Sequence, residues 1–107
     1  MKANLSFLLF LLPFFLNAQT QTIRGTVLDQ QSESPIIGAT VQLLAPTGEA
    51  LQGAMTDANG RFAVADVPVG RQVLRVTYLG YEPLTVPNIL VTAGKESQLS
   101  LALQEAF

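Results

Sequence analysis

Cysteine, histidine and tryptophan are all absent from this chain of 107 residues. The absence of cysteine excludes a disulfide framework, a thiolate metal site and a lipid-modified N-terminal cysteine. The absence of histidine removes the commonest general base and the commonest metal ligand. Only 13% of the residues are charged and the formal net charge is −2, so the basic surface that binds nucleic acid is missing. The composition therefore excludes most small-enzyme chemistries, and the length predicts one domain.

The first eighteen residues have the three-part layout of a secretory signal peptide. Lys2 comes before residues 5–16, in which ten of the twelve residues are leucine or phenylalanine, and the small residue Ala18 follows. A helix that spans a membrane needs about 20 apolar residues, so this segment is too short for a transmembrane anchor. We predict cleavage between Ala18 and Gln19, export to the periplasm, and a mature domain of residues 19–107 without a transmembrane span.

Beyond residue 18 apolar and polar residues alternate in short runs, and no stretch keeps the period of an amphipathic helix. Alternation sends successive side chains to opposite faces of a strand. Five runs predict inward-facing residues, namely Ile23, Gly25 and Val27; Ala39, Val41 and Leu43; Phe62 and Val64; Leu74, Val76 and Tyr78; and Leu99, Leu101 and Leu103. Turn residues separate the runs, and residues 45–48 predict a hairpin turn. This spacing is typical of a sandwich or a small barrel.

The strongest turn signal lies at Asp57, Asn59 and Gly60. Asn-Gly favours a tight hairpin because both residues tolerate positive φ, and the Asp57 carboxylate can accept hydrogen bonds from nearby backbone N–H groups. These residues also resemble the start of a calcium loop. Counted from Asp57, however, the positions that need glycine and a carboxylate hold Phe62 and Pro68. We therefore predict a structural turn and no metal site.

Candidate catalytic groups are few. The acidic residues lie nearly all in predicted turns, and no serine or threonine has a histidine to act as its base. We predict no enzymatic activity and no cofactor. Tyr78 continues an inward-facing set and is expected in the core, whereas Tyr81 lies beyond that strand and is the candidate residue of an interaction surface.

Four segments carry a resemblance to a known family: residues 23–29 (IRGTVLD), 35–41 (PIIGATV), 56–62 (TDANGRF) and 76–82 (VTYLGYE). They resemble the carboxypeptidase regulatory-like domain family, in particular the N-terminal extension of SusC-type TonB-dependent outer-membrane receptors. The resemblance runs from Ile23 to about Leu103 and implies an all-β, seven-stranded Greek-key sandwich of the transthyretin (prealbumin) type. Gly25, in the middle of the first strand, is expected to lie under a large side chain, from Phe62 or Tyr78.

The resemblance also implies a function. It predicts a non-catalytic exported scaffold or interaction domain whose partner is a protein of the outer-membrane uptake machinery, with an exposed strand edge as one mode of contact. Two alternatives stay open: a free-standing carbohydrate-binding module, whose glycan would contact Tyr81, and a structural or adhesin-like spacer. Because a plug and a barrel follow this domain in such receptors, both a receptor fragment and a stand-alone domain fit a chain that stops at Phe107.

Overall fold

The computed structural model describes residues 19–107, which consist of β-strands and connecting loops. The strands are β1 (Thr20–Asp29), β2 (Thr40–Leu44), β3 (Ala50–Met55), β4 (Arg61–Pro68), β5 (Gly70–Thr77), β6 (Leu84–Val91) and β7 (Ser97–Leu103). These seven strands confirm the predicted all-β fold. The predicted signal peptide, including Ala18 at its cleavage site, lies outside the described residues.

The strands form two sheets that pack face to face. One sheet has three strands in the order β4-β1-β7, and the other has four strands in the order β3-β2-β5-β6. β1 is the centre of the smaller sheet, where it pairs antiparallel with β4 and parallel with β7. Consecutive strands often lie in different sheets, so the chain crosses repeatedly from one sheet to the other. This arrangement confirms the predicted Greek-key sandwich.

The core consists of apolar side chains that alternate along the strands of both sheets. Ile23, Val27 and Val64 of the smaller sheet are almost completely buried, as are Val41 and Leu74 of the larger sheet. Burying an aliphatic side chain of this size stabilises a fold by about 1.5–3 kcal/mol. Alternation along the sequence therefore predicted most of this core correctly.

Tyr78 departs from the predicted core. The structure leaves 39% of this residue exposed. β5 ends at Thr77, so the strand geometry no longer controls the direction of the side chain that follows. The Tyr78 ring lies beside the ring of Tyr81 instead, with the two centroids 5.8 Å apart.

The two predicted hairpin turns have different outcomes. The turn at residues 45–48 is confirmed: it joins β2 to β3, and the Gly48 N–H donates to the Ala45 carbonyl oxygen at 2.8 Å. The prediction of a hairpin at Asp57 and Gly60 is wrong, because β3 and β4, the strands on either side of that turn, lie in different sheets. A local turn signal predicts that the chain reverses, but the partners of the emerging strand depend on the whole fold.

Gly25 lies in the middle of β1, opposite Phe62 of β4. A Cβ atom at Gly25 would lie 2.8 Å from Cζ of the Phe62 ring, and it would also collide with the backbone carbonyl oxygen of Leu99. This geometry confirms that a large side chain covers Gly25, and the side chain is that of Phe62 rather than Tyr78. Because the Leu99 carbonyl belongs to β7, it cannot move away without disturbing the pairing between β1 and β7.

Replacing Gly25 with alanine is expected to lower the free energy of unfolding by about 1–3 kcal/mol, the usual cost of overpacking. Gly94→Ala is the matched control, because a Cβ atom at Gly94 meets no atom within 4 Å. The control should change the free energy of unfolding by less than about 0.5 kcal/mol. Chemical denaturation of both variants measures the difference, and equal stability would contradict the close approach at Gly25.

Candidate functional site

The Asp29 carboxylate ties together the loops at one end of the sandwich. Its Oδ1 atom accepts hydrogen bonds from the backbone N–H groups of Gln31 at 2.8 Å and Ser32 at 2.9 Å. Its Oδ2 atom accepts a hydrogen bond from the Tyr81 hydroxyl at 2.6 Å. Hydrogen bonds to an ionised acceptor are stronger than those between neutral groups. Asp29 therefore connects the loop after β1 firmly to the loop after β5.

The same contacts shift the pKa of both partners. Donation from the Tyr81 hydroxyl, followed by donation from the Ser32 and Gln31 N–H groups, lowers the pKa of Asp29 from 3.8 to about 2. The hydrogen bond to Asp29 also raises the pKa of Tyr81 from 10.0 to about 12. Both shifts arise because the hydrogen bond favours an ionised acceptor and a neutral donor. Asp29 is thus held as a carboxylate and is poorly suited to act as a proton donor.

The last residues of the chain hold the same loop from the other side. The Glu82 N–H donates to the Gln104 carbonyl oxygen at 2.9 Å, and the Ala106 N–H donates to the Gly80 carbonyl oxygen at 2.9 Å. Tyr81 and Glu105 form an isolated antiparallel bridge between these contacts. Residues 80–82 therefore act as a short extra strand beside the continuation of β7.

Tyr81, the predicted interaction residue, is half-buried and packs against the core. Its ring supports the loop while its hydroxyl is engaged by Asp29, and its contact with a partner stays a prediction. The more exposed neighbours are Tyr78 and Leu79, and Leu79 is 95% exposed. We call these two residues the corner patch. No local sequence pattern indicated the corner patch. None indicated the Asp29–Tyr81 pair either, because its members are 52 residues apart in the chain.

The predicted structural turn at Asp57, Asn59 and Gly60 joins β3 to β4. Asp57 Oδ1 accepts hydrogen bonds from the backbone N–H groups of Asn59 and Arg61, each at 2.9 Å. Donation from the Arg61 and Asn59 N–H groups lowers the pKa of Asp57. Gly60 has a φ of 74°, and a Cβ atom there would lie 2.8 Å from the Val27 carbonyl oxygen. The Asp57 carboxylate therefore stabilises the backbone of its own turn.

Within residues 19–107 no three side chains of the metal-binding types cluster. No helix in that range has the length and apolarity needed to cross a membrane. Gln19, on the mature side of the predicted cleavage site, is exposed, and its carbonyl oxygen accepts a hydrogen bond from the Val69 N–H at 3.2 Å.

Replacing Tyr81 with phenylalanine is expected to lower the melting temperature by several degrees at neutral pH. With tyrosine present, Asp29 stabilises the fold above pH 3.8 and this contribution is lost as the pH falls towards 2. The Tyr81 contribution is present below pH 10 and is lost as the pH rises towards 12. The Tyr81→Phe variant should therefore lack the Tyr81-dependent loss of stability at alkaline pH. Its loss of stability at acid pH should be smaller than that of the wild-type protein.

Melting temperatures measured across the pH range test both the alkaline and the acid change in stability. Tyr78→Phe is the matched control, because it removes a neighbouring tyrosine hydroxyl and leaves the Asp29–Tyr81 hydrogen bond in place. Identical pH profiles for the Tyr81 variant and the wild-type protein would show that this hydrogen bond does not stabilise the fold.

Comparison with known proteins gives the family. Residues 22–104 match the family described as the carboxypeptidase regulatory-like domain. The TonB-dependent transporter Oar of Myxococcus xanthus is 35% identical over 86 residues, which are 80% of this chain and 8% of the transporter. The chain therefore spans a small part of this curated relative.

Solved structures show the same kind of sandwich. A type II cohesin–X-dockerin complex of Acetivibrio cellulolyticus matches 79% of this chain and 58% of that chain, with a TM-score of 0.61 and 26% identity. The major pilin subunit BcpA of Bacillus cereus matches 82% of this chain and 31% of its own, with a TM-score of 0.65 and 16% identity. The pilin match is evidence for the fold alone. From the sequence match over nearly all of its described residues, this chain belongs to the carboxypeptidase regulatory-like domain family.

Proposed function

We propose that this chain is a non-catalytic, exported interaction domain that works beside a TonB-dependent transporter in the outer membrane. The observation that carries the proposal is the 35% identity to such a transporter over 80% of this chain. The predicted signal peptide supports export, because its layout matches that of secreted proteins. The domain would act either as part of a receptor or as a separate chain that binds one.

The state of the carboxylates supports a non-catalytic role. Asp29 and Asp57 accept hydrogen bonds that lower their pKa. A general acid at neutral pH needs a raised pKa instead. No three side chains of the metal-binding types cluster in residues 19–107. The domain would therefore contribute contacts rather than chemistry.

A glycan-binding role has less support. A protein of Bacteroides uniformis described as a putative carbohydrate-binding protein shares the fold, with a TM-score of 0.63, but only 14% identity. Sugar rings stack on accessible aromatic faces, and the two tyrosine rings here are tilted by 48° to each other. Because Tyr81 is half-buried and tied to Asp29, these rings do not form a flat platform.

Fractionation of cells that produce the full chain tests the proposal. An antibody against residues 19–107 should detect the protein in the outer-membrane fraction, with an accompanying transporter recovered after chemical cross-linking. A secreted marker that stays in the soluble periplasm is the control for incomplete separation. Recovery in the cytoplasm, or in the soluble periplasm without a cross-linked membrane protein, would contradict the proposal.

A further inference from the structure

One edge of β7 is unpaired in the part of the chain that the structure describes. β7 pairs with β1 from Ser97 to Leu103 without any irregularity of register. β7 is also the last strand of its sheet, so no described strand lies along its other edge. An unpaired edge presents backbone N–H and C=O groups that an extended segment of another chain can use.

The unpaired groups belong to Gln98, Ser100 and Ala102. Along a strand, the backbone groups of successive residues point alternately to the neighbours on either side. The Leu103 carbonyl oxygen faces β1, because it accepts the Gln30 N–H at 2.9 Å. The Gln104 carbonyl oxygen faces the opposite way and accepts the Glu82 N–H. Counting back in steps of two from residue 104 gives 102, 100 and 98 on the unpaired side.

The other three edges of the two sheets are interrupted. On β4, Asp66 has a φ of 59°, and the Gln52 side-chain amide donates to the Ala65 carbonyl oxygen at 2.6 Å. On β6, Pro87 lacks an N–H and Asn88 has a φ of 60°. β3 has a shift of register against β2. Prolines and bulges of this kind protect edges against strand addition, and β7 has neither.

A groove lies beside the first residues of this edge, from Ser97 to Leu99, where β6 of the larger sheet has no strand of the smaller sheet opposite it. Residues of β6 and β7 line the groove together, and its apolar wall includes Val86, Ile89 and Leu99. Val86 and Leu99 are only half-buried although they pack against the core. The groove is open to solvent and has a volume of about 630 Å³, within the roughly 300–1,000 Å³ of ligand clefts. An added strand would cover these side chains.

The direction of the neighbouring strands and the charge beside the groove indicate which kind of segment would bind at this edge. Residues 80–82 already pair antiparallel with the continuation of β7, through Tyr81 and Glu105, so an added antiparallel strand would extend an existing pattern. Its C-terminal end would lie near Lys95, which lines the groove. Glu96 also lines the groove, and it forms an ion pair with Arg24 outside it, with Arg24 Nε 2.8 Å from Glu96 Oε1. Lys95 therefore favours an acidic residue at that end.

We infer that the unpaired edge of β7 binds an extended peptide segment of a partner protein. The segment adds antiparallel to β7, places alternate apolar side chains in the groove, and carries an acidic residue at its C-terminal end. About five residues match the edge from Gln98 to Ala102 at 3.3 Å per residue. The inference rests on the proposed protein-contact function and names the site and the chemistry of the contact.

Selection from a random peptide library tests the inference, with protein produced from the full chain as the target. Enriched peptides should alternate apolar and polar residues and end in an acidic residue. When such a peptide is titrated, the amide resonances of Gln98, Ser100 and Ala102 should shift in NMR spectra. A negative result in this experiment would not change the result of cell fractionation. The peptide-binding site and the proposed role beside a transporter can therefore be disproved separately.

Ser100→Pro is the decisive variant. It removes an N–H that points away from β1, and proline is tolerated on an edge strand when its nitrogen faces solvent. Binding should fall by about tenfold or more, because an added strand loses a hydrogen bond and its register. Ser100→Ala is the matched control, since it removes the hydroxyl and keeps the N–H, and it should bind peptide like the wild-type protein.

Lys95→Glu provides a second variant that lies outside β7, in case proline prevents folding. It should weaken peptides with an acidic C-terminal end and leave amidated, uncharged versions unaffected. Three outcomes would overturn the inference: no enriched peptide, equal binding to Ser100→Pro and wild-type protein, or resonance shifts confined to the corner patch. Self-association through β7 that excludes the peptides would also overturn it, because the occupant would then be a second copy.

Discussion

The unequal size of the two sheets is the constraint that shapes this molecule. Three strands lie against four, so β6 extends over space that no described strand fills. The core closes well elsewhere, because apolar side chains from both sheets alternate into it. Beside β7 the closure is incomplete, and half-buried apolar side chains remain next to unpaired backbone groups. This incompletely covered region contains the edge that we propose as the peptide-binding site.

The Asp29–Tyr81 hydrogen bond lies just beyond the unpaired edge of β7. It holds the loop after β5, so that residues 80–82 pair with the chain beyond β7. Pro83 then leads the chain into β6 of the other sheet, and the edge from Gln98 to Ala102 is left uncovered. A carboxylate at the end of β1 thus helps to position the loop that pairs with the chain beyond Leu103.

The sequence predicted the features that depend on neighbouring residues. Alternation identified buried residues such as Val41 and Leu74, and the cover over Gly25 followed from a glycine in the middle of a strand. Prediction from the sequence failed where the structure depends on residues that are far apart in the chain. Tyr78 continued an alternation after its strand had ended, the turn at Asp57 crosses between sheets, and the Asp29–Tyr81 pair joins residues far apart in the chain. The unpaired edge of β7 depends on the order of strands in both sheets, which no local pattern contains.

Amide hydrogen exchange along β7, measured by NMR on the protein without a partner, shows directly whether the outer edge of this strand is unpaired. Amides that donate to β1 exchange only when the pairing opens, whereas unpaired amides exchange rapidly. We expect slow exchange at Leu99, Leu101 and Leu103 and fast exchange at Gln98, Ser100 and Ala102. Uniformly slow exchange along the strand would mean that both edges of β7 are paired, and would rule out a free binding edge.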